Sequence, residues 1–436
     1  MTSIAVQDTV VESFVIEGGH TLSGRIRAEG NKNGALPILA ACLLTDEPVI
    51  LQNVPRIRDV ETMVELLADL GAEAAWTGPN EVRVDATGVT KTELDPVLGR
   101  EIRASFLLAG PLLARFGRAT VPPPGGDVIG RRRLDTHIHA FMELGVEVDL
   151  NGAYDLRTDG LRGKRMFLDE ASVMATENAV MAAVLAEGET IVGHAACEPH
   201  IQDLCHFLVS LGAQIEGIGS NIVRITGVPE LHGGEHRIRP EHVEVASFAA
   251  LAATTGGDVT IEDVEPDDLI SIVPAFRKLG ITLEVGETSV RVPPGQELHV
   301  VDDLGDQIPK IESGIWPAFP ADLTSIAVVA ATQARGTVLV FEKMFESRLF
   351  FVDKLVSMGA RIILCDPHRV VVTGPARLYG QRLESPDIRA GMAMVIAALC
   401  AEGQSSIGNI GQIDRGYERI DERLRALGAS IERTEL

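Results

Sequence analysis

Asp59-Val-Glu-Thr-Met-Val-Glu-Leu-Leu-Ala-Asp-Leu-Gly71 decides the fold. Its apolar residues recur every three or four positions, as on a helix with one buried face, and the glycine sits where a left-handed C-cap is needed. The same ending, Leu-Gly or Met-Gly before an apolar strand-like run, returns at Gly145, Gly212, Gly280, Gly359 and Gly428. The spacing is roughly 70 residues, so one structural unit is used six times. A strand follows each stop, such as Arg361-Ile-Ile-Leu364, and a turn returns another, such as Asn221-Ile-Val-Arg-Ile-Thr226.

Each copy also holds an earlier helix of different character. These run from Ala35 to Leu44, Ala104 to Phe116, Ala179 to Ala186, Val245 to Thr255, Leu323 to Ala334 and Ala390 to Ala401. They are small, apolar and nearly uncharged all round, which predicts burial on every side. They are too short to span a membrane. The unit therefore reads as βαβαββ with one inner and one outer helix, and six units pair most simply as two α/β domains of three.

The chain has 436 residues and a net charge of -23, from 39 basic and 62 acidic residues. That balance argues against nucleic acid or an anionic membrane as partner. The opening Met1-Thr-Ser-Ile-Ala-Val-Gln-Asp8 lacks the basic region and apolar run of a secretory signal. The five cysteines, Cys42, Cys197, Cys205, Cys365 and Cys400, form no CxxC pair. A reduced cytoplasmic protein with structural thiols is expected.

Polar residues collect where the inner helices begin: Asn31-Lys32-Asn33, Arg103, Ser172 with Thr176-Glu177-Asn178, Asp322, and Asp387 with Arg389. The fourth repeat offers nothing assignable. Helix N-termini attract anions, so several converging with added cations would make a phosphate or carboxylate site. Capping accounts for Ser172 or Asp387 alone. Lys32 opposes the helix dipole, which points to function. Pro122-Pro-Pro-Gly-Gly-Asp-Val-Ile-Gly-Arg-Arg-Arg-Leu-Asp-Thr-His137 reads either as a solvated basic turn or as a mobile lid. It is not a Walker A loop. Phe345-Glu-Ser-Arg348 and Ile413-Asp-Arg-Gly-Tyr-Glu418 each open an outer helix. His137 and His139 have no metal-site spacing, so no metal is expected.

Taken together and in order, Gly30-Asn-Lys-Asn-Gly-Ala-Leu-Pro37, Pro124-Gly-Gly126, Ala175-Thr-Glu-Asn178, Phe319-Pro-Ala-Asp322, Phe345-Glu-Ser-Arg348, Asp387-Ile-Arg389 and Ile413-Asp-Arg-Gly-Tyr-Glu418 resemble the UDP-N-acetylglucosamine enolpyruvyl transferase family over essentially the whole chain. The resemblance implies an inside-out α/β barrel of two domains with pseudo-threefold symmetry. One domain would hold residues 1–31 and 241–436, the other 32–240, with substrates in the cleft between them. It also implies addition of the 3-hydroxyl of UDP-N-acetylglucosamine to phosphoenolpyruvate, followed by loss of phosphate, with no metal or organic cofactor.

Carried over by motif, the phosphoenolpyruvate contacts are Lys32, Asn33, Arg103, Arg132, Arg348, Arg389 and Arg415. A compact trianion needs several fixed cations. The nucleotide-sugar contacts are Asn33, Arg103, Arg132, Asp135, His137, Ser172, Val173, Asp322 and Met344. Asp322 matches the base for the acceptor hydroxyl, with Asp127, Lys32 and Arg415 also in the chemistry. Three positions depart from the family. Asp127 stands where most members carry the cysteine that fosfomycin alkylates, so insensitivity to that epoxide is expected. Met174 replaces a glycine and Arg133 a proline. These last two motivate an alternative, an enolpyruvyl transferase with another nucleotide or sugar acceptor. A non-catalytic paralogue that binds nucleotide sugar is a third reading, opposed by retention of Lys32, Asp322, Arg389 and Arg415. The sequence leaves oligomeric state open.

Overall fold

Every Leu-Gly or Met-Gly stop is a left-handed turn: φ runs from 76° at Gly280 to 107° at Gly71 and Gly359. A Cβ is strained there, which is why glycine recurs. The computed structural model describes residues 12–126 and 133–435. Within them the outer helices are Arg58–Leu70, Asp135–Glu143, Pro199–Ser210, Ile272–Lys278, Val352–Ser357 and Ile420–Ala426. Each ends one or two residues before its glycine.

Five of the six inner helices begin earlier than their apolar runs do, and the fifth begins one residue later. They are Lys32–Ala41, a 3-10 turn Arg103–Leu108 leading into Ala109–Phe116, Val173–Ala183, His242–Thr254, Thr324–Gln333 and Ile388–Cys400. The added first turns carry polar residues that are buried all the same, such as Lys32, Thr176 and Arg389. Hydropathy alone reads such residues as outside the helix. They are tolerated because each has a partner.

Among the described residues, six sheets accompany the six repeats. The third shows the pattern. Glu189–Gly193 pairs in parallel with Arg165–Phe167 and antiparallel with Ile222–Thr226, which pairs antiparallel with Gln214–Glu216. Three sheets borrow a strand from a distant part of the chain. Gly234–Arg237 joins Val49–Gln52 in the first, and Ser23–Arg27 joins Asp258–Glu262 in the fourth. In the sixth, Glu12–Glu17 lies between Gln404–Gly408 and Ser430–Glu435.

The chain divides into two compact units. One comprises residues up to Arg27, Val243–Ser313 and the chain from Phe319 onward; the other comprises Ala28–His242 with Gly314–Ala318. In the first unit, Thr324–Gln333 packs on Ile388–Cys400. The latter helix buries Met392, Met394, Val395, Ile396 and Leu399 completely. Each such side chain contributes about 1.5–3 kcal/mol through its transfer from water. In the second unit, Lys32–Ala41 packs on Arg103–Leu108, and Ala109–Phe116 on Val173–Ala183. Asn178 fastens that last pair: its amide donates to the Phe106 carbonyl at 3.0 Å and accepts from Gly110 N at 2.9 Å. Among the described residues the cysteines are free thiols, and no helix is long and apolar enough to cross a membrane.

Candidate active site

In the first unit the centre is Asp322, in a 3-10 turn ahead of the helix Thr324–Gln333. Its two oxygens are held by different arginines. Arg348 donates to Oδ1 at 2.9 Å, and Arg389 donates from Nε to Oδ2 at 3.1 Å. Both arginine side chains are 5% exposed and the carboxylate 30%, so the acid faces outward from a buried cationic base.

Each arginine is held in turn. Arg389 lies in the first turn of the helix Ile388–Cys400, whose cap Asp387 accepts from the Arg389 and Ala390 N–H groups. Its guanidinium lies 5.5 Å from the Tyr417 ring centroid. Burial pushes the Tyr417 phenol up against the pull of Arg389. Its hydroxyl meets Ser247 Oγ at 3.0 Å. Ser247 lies on the fourth inner helix, in the repeat to which the sequence alone let nothing be assigned. It supplies a support. Arg348 stacks 5.1 Å from the Phe345 ring, and its Nε–H finds no acceptor among the described residues.

The loop that carries Arg348 is shaped by Glu342, which is fully buried. Its Oε1 accepts from Ser313 Oγ, Met344 N and Phe345 N, and its Oε2 accepts from Thr324 Oγ1 at 2.6 Å. One carboxylate thus ties the Arg348 loop to the helix behind Asp322. Met344 itself is 40% exposed. Arg415 ends the short helix Gly411–Asp414 and donates to Gln412 Oε1 at 2.9 Å.

In the second unit Lys32 opens its helix behind the cap Asn31, which accepts from Gly34 N at 3.0 Å. The ammonium is buried and sits 2.7 Å from Asp59 Oδ2. Asp59 was not singled out by the sequence, where an acid in a first helical turn reads as a dipole partner. Asn33 follows, half-buried. Arg103 opens the next inner segment and donates to the Arg133 carbonyl at 3.3 Å. The Pro-Gly-Gly segment lies directly on this turn. A Cβ at Gly125 would stand 1.9 Å from the Arg100 carbonyl oxygen, and one at Gly126, where φ is +101°, would stand 2.9 Å from Arg103 Cβ. Close approach therefore demands both glycines. Asp127 and Arg132 lie outside the described residues.

His137 points inward and is 1% exposed. Its Nδ1 meets the Asn178 amide at 3.0 Å, and its ring sits edge-on to Phe106. Burial, and then the Arg103 charge, pushes the imidazole down to about 3. It is neutral at pH 7 and positions the helix start. Asp135 is ion-paired with Arg133. Ser172 caps Val173–Ala183 with Oγ 3.4 Å from Ala175 N. Val173 and Met174 are half-buried and pack on the apolar core. Thr176 and Asn178 are likewise spent on internal bonds. Glu177 is buried, its Oε1 finds no hydrogen-bond partner among the described residues, and burial followed by the charge of Glu198 raises its carboxyl well above the usual range.

The first unit thus gathers Asp322, Arg348 and Arg389 around one point. The second sets Lys32 and Arg103 at the starts of neighbouring helices. Among the described residues, no group of three or more histidine, cysteine or acidic side chains could hold a metal ion.

A family model described as EPSP synthase (3-phosphoshikimate 1-carboxyvinyltransferase) matches residues 16–424. A UDP-N-acetylglucosamine 1-carboxyvinyltransferase from Bradyrhizobium diazoefficiens is 56% identical over 96% of this chain and 97% of its own. The protein of that name from Treponema denticola is 54% identical over 97% and 99%, and that from Bacteroides thetaiotaomicron 48% over 97% and 99%. Among solved structures, the enolpyruvyl transferase NikO from Streptomyces tendae aligns with a TM-score of 0.88 at 24% identity, covering 98% of this chain and 100% of that one. EPSP synthase from Acinetobacter baumannii aligns at 0.75 and 17% with the same coverage. The two structures speak to the fold.

Proposed function

The chain belongs to the family of UDP-N-acetylglucosamine 1-carboxyvinyltransferases, and from that membership and the Asp322 cluster we infer its reaction and the roles of its residues. It transfers the enolpyruvyl group of phosphoenolpyruvate to the 3-hydroxyl of UDP-N-acetylglucosamine and releases phosphate, a step of peptidoglycan synthesis. The acceptor oxygen adds to C2 of phosphoenolpyruvate, losing its proton to Asp322, while C3 gains a proton. The tetrahedral phospholactoyl adduct then expels phosphate, and C3 returns a proton to restore the double bond. Asp127 is assigned the C3 proton.

The observation that carries the reading is the Asp322 carboxylate with one buried guanidinium on each oxygen. The two guanidiniums hold the carboxylate from its buried side, so the acid is oriented while 30% of it stays exposed to an acceptor. Arg348 and Arg389 present a planar forked surface suited to the carboxylate of phosphoenolpyruvate. Lys32, Arg103, Arg132 and Arg415 are assigned to its phosphate, and all six cations oppose the charge that develops during addition. Asn33, Asp135, His137, Ser172, Val173 and Met344 are assigned to orienting the nucleotide sugar, directly or by fixing the helix starts that do. Met174 packs on the core, and the Arg133 charge is taken up by Asp135, which supports the ordinary acceptor over an altered one. A soluble acceptor and unpaired thiols support a cytoplasmic enzyme.

The test is phosphate release with both substrates, with the product mass measured. Asp322→Asn should lower turnover by on the order of 10²–10⁴ while substrate binding persists. Turnover near wild type would remove Asp322 from the mechanism. Release with another acceptor but not this one would overturn the acceptor.

A further inference from the structure

Aligned on their glycine stops, the six repeats serve as controls for one another. Five residues past the stop stand Trp76, Leu150, Gly217, Val285 and Leu364 in the first five copies, and Arg433 in the sixth. The one charged residue at this position falls in the repeat that also carries Arg389 and Arg415.

Arg433 lies on the strand Ser430–Glu435, directly opposite the buried Phe14, with its guanidinium 5.0 Å from that ring. The planar group joins three acids from three elements. Nη1 and Nη2 donate to the two oxygens of Asp414, each at 2.8 Å. Nη1 also donates to Glu12 at 2.9 Å, and Nη2 to Asp421 at 3.3 Å. Glu12 belongs to the strand Glu12–Glu17, and Asp421 to the outer helix Ile420–Ala426. Asp414 ends the short helix Gly411–Asp414, and Arg415 is the next residue. A helix of one turn has little stability of its own, so its placement must come from outside. One side is set by packing. A Cβ at Gly416 would stand 2.3 Å from Ile388 Cγ2, and one at Gly391 would stand 2.6 Å from Ile413 Cγ1, so the turn presses on the helix that carries Arg389. The other hold is the Asp414 carboxylate.

We propose that Arg433 is a positioning residue for Arg415: its paired N–H groups fix the Asp414 carboxylate, and with it the backbone that presents the next side chain to phosphoenolpyruvate. A lone surface ion pair contributes little. A forked guanidinium–carboxylate pair fixes orientation as well as distance, and the bonds to Glu12 and Asp421 fix the fork itself. The inference rests on the assignment of Arg415 to phosphoenolpyruvate.

The experiment is steady-state phosphate release by the full-length enzyme. Arg433→Lys keeps the charge and loses the fork. It should lower kcat/KM for phosphoenolpyruvate by on the order of tenfold to a hundredfold, with KM for UDP-N-acetylglucosamine within about twofold of wild type. Asp414→Asn should reproduce that loss. In an Arg415→Ala background no guanidinium is left to place, so Arg433→Lys should cost less than about twofold further. Arg291→Lys, which breaks an equally forked pair with Asp258 on the fourth sheet, should leave both constants unchanged. An unaffected Arg433→Lys enzyme, an equal loss in Arg291→Lys, or losses that simply add in the Arg415→Ala background would each overturn the proposal while leaving Arg415 in the reaction. Wild-type turnover in Arg415→Ala alone would remove Arg415 from the reaction and the role of Arg433 with it.

Discussion

Replacing Glu342 with alanine should loosen the Arg348 loop and weaken phosphoenolpyruvate binding together. The buried carboxylate accepts four hydrogen bonds, two from hydroxyls and two from the Met344 and Phe345 backbone. Hydrogen bonds to a charged acceptor contribute about 1.5–3 kcal/mol each. They are not additive, and the half-exposed Met344 N–H can recover water, so about 4 kcal/mol of local stability is the expected loss. That equals on the order of a thousandfold faster amide exchange across residues 342–348 and the start of the helix behind them. Glu342→Gln should behave differently. Its carbonyl oxygen can keep the three bonds now made to Oε1, while the Thr324 hydroxyl rotates to accept from the new amide, limiting the cost to about 1–2 kcal/mol. The assay pairs hydrogen exchange by mass spectrometry with KM and kcat. KM for phosphoenolpyruvate should rise in Glu342→Ala and largely recover in Glu342→Gln. If exchange and KM in Glu342→Ala stay within about twofold of wild type, Glu342 does not hold the Arg348 loop, and the reasoning fails.

Glu177 carries a raised carboxyl, so the folded state holds a proton that the unfolded state releases above its ordinary value of 4.5. Stability from this group is therefore present at low pH and falls as pH climbs through that window, by up to about 1.4 kcal/mol per pH unit. Glu177→Gln should flatten the loss of melting temperature between about pH 5 and pH 8, and an unchanged slope would deny the buried carboxyl that role. Fosfomycin should not inactivate the enzyme progressively, since the carboxylate of Asp127 cannot form a stable thioether. Time-dependent loss of activity with a mass adduct on the Pro122–His137 segment would contradict this.

The repeat was legible because each copy ends on a residue whose backbone angle excludes side chains. Gly71 and its five counterparts print the same constraint six times. Inner and outer helices were legible from how far round the helix the apolar residues extend. Lys32 stood out because a cation at a helix start opposes the local field. Its counter-charge Asp59 did not, nor did Glu342 or Ser247. Each of these acts on a group from another element, and its own neighbourhood in the sequence explains it adequately as a dipole partner, strand end or helix residue. Residues that complete a pair across elements are invisible until the elements are packed. The starts of the inner helices were missed for the same reason: their polar first turns look exposed until the bonds that bury them are seen.

The strand Glu12–Glu17 has a consequence for how the molecule is made. It lies between Gln404–Gly408 and Ser430–Glu435, so during synthesis it emerges early and waits for neighbours translated almost last. Residues 28–242 lie wholly within that interval and form nearly all of the other unit. At about 5–20 residues per second, that unit has many seconds in which to condense while the first strand is still single. Closing so long a loop around an already folded body costs little more entropy than closing a short one, because the penalty grows only with the logarithm of length. The order of assembly is thereby written into the topology: the body with Lys32 and Arg103 comes first, and the sheet that completes the body with Arg389 and Asp322 comes last.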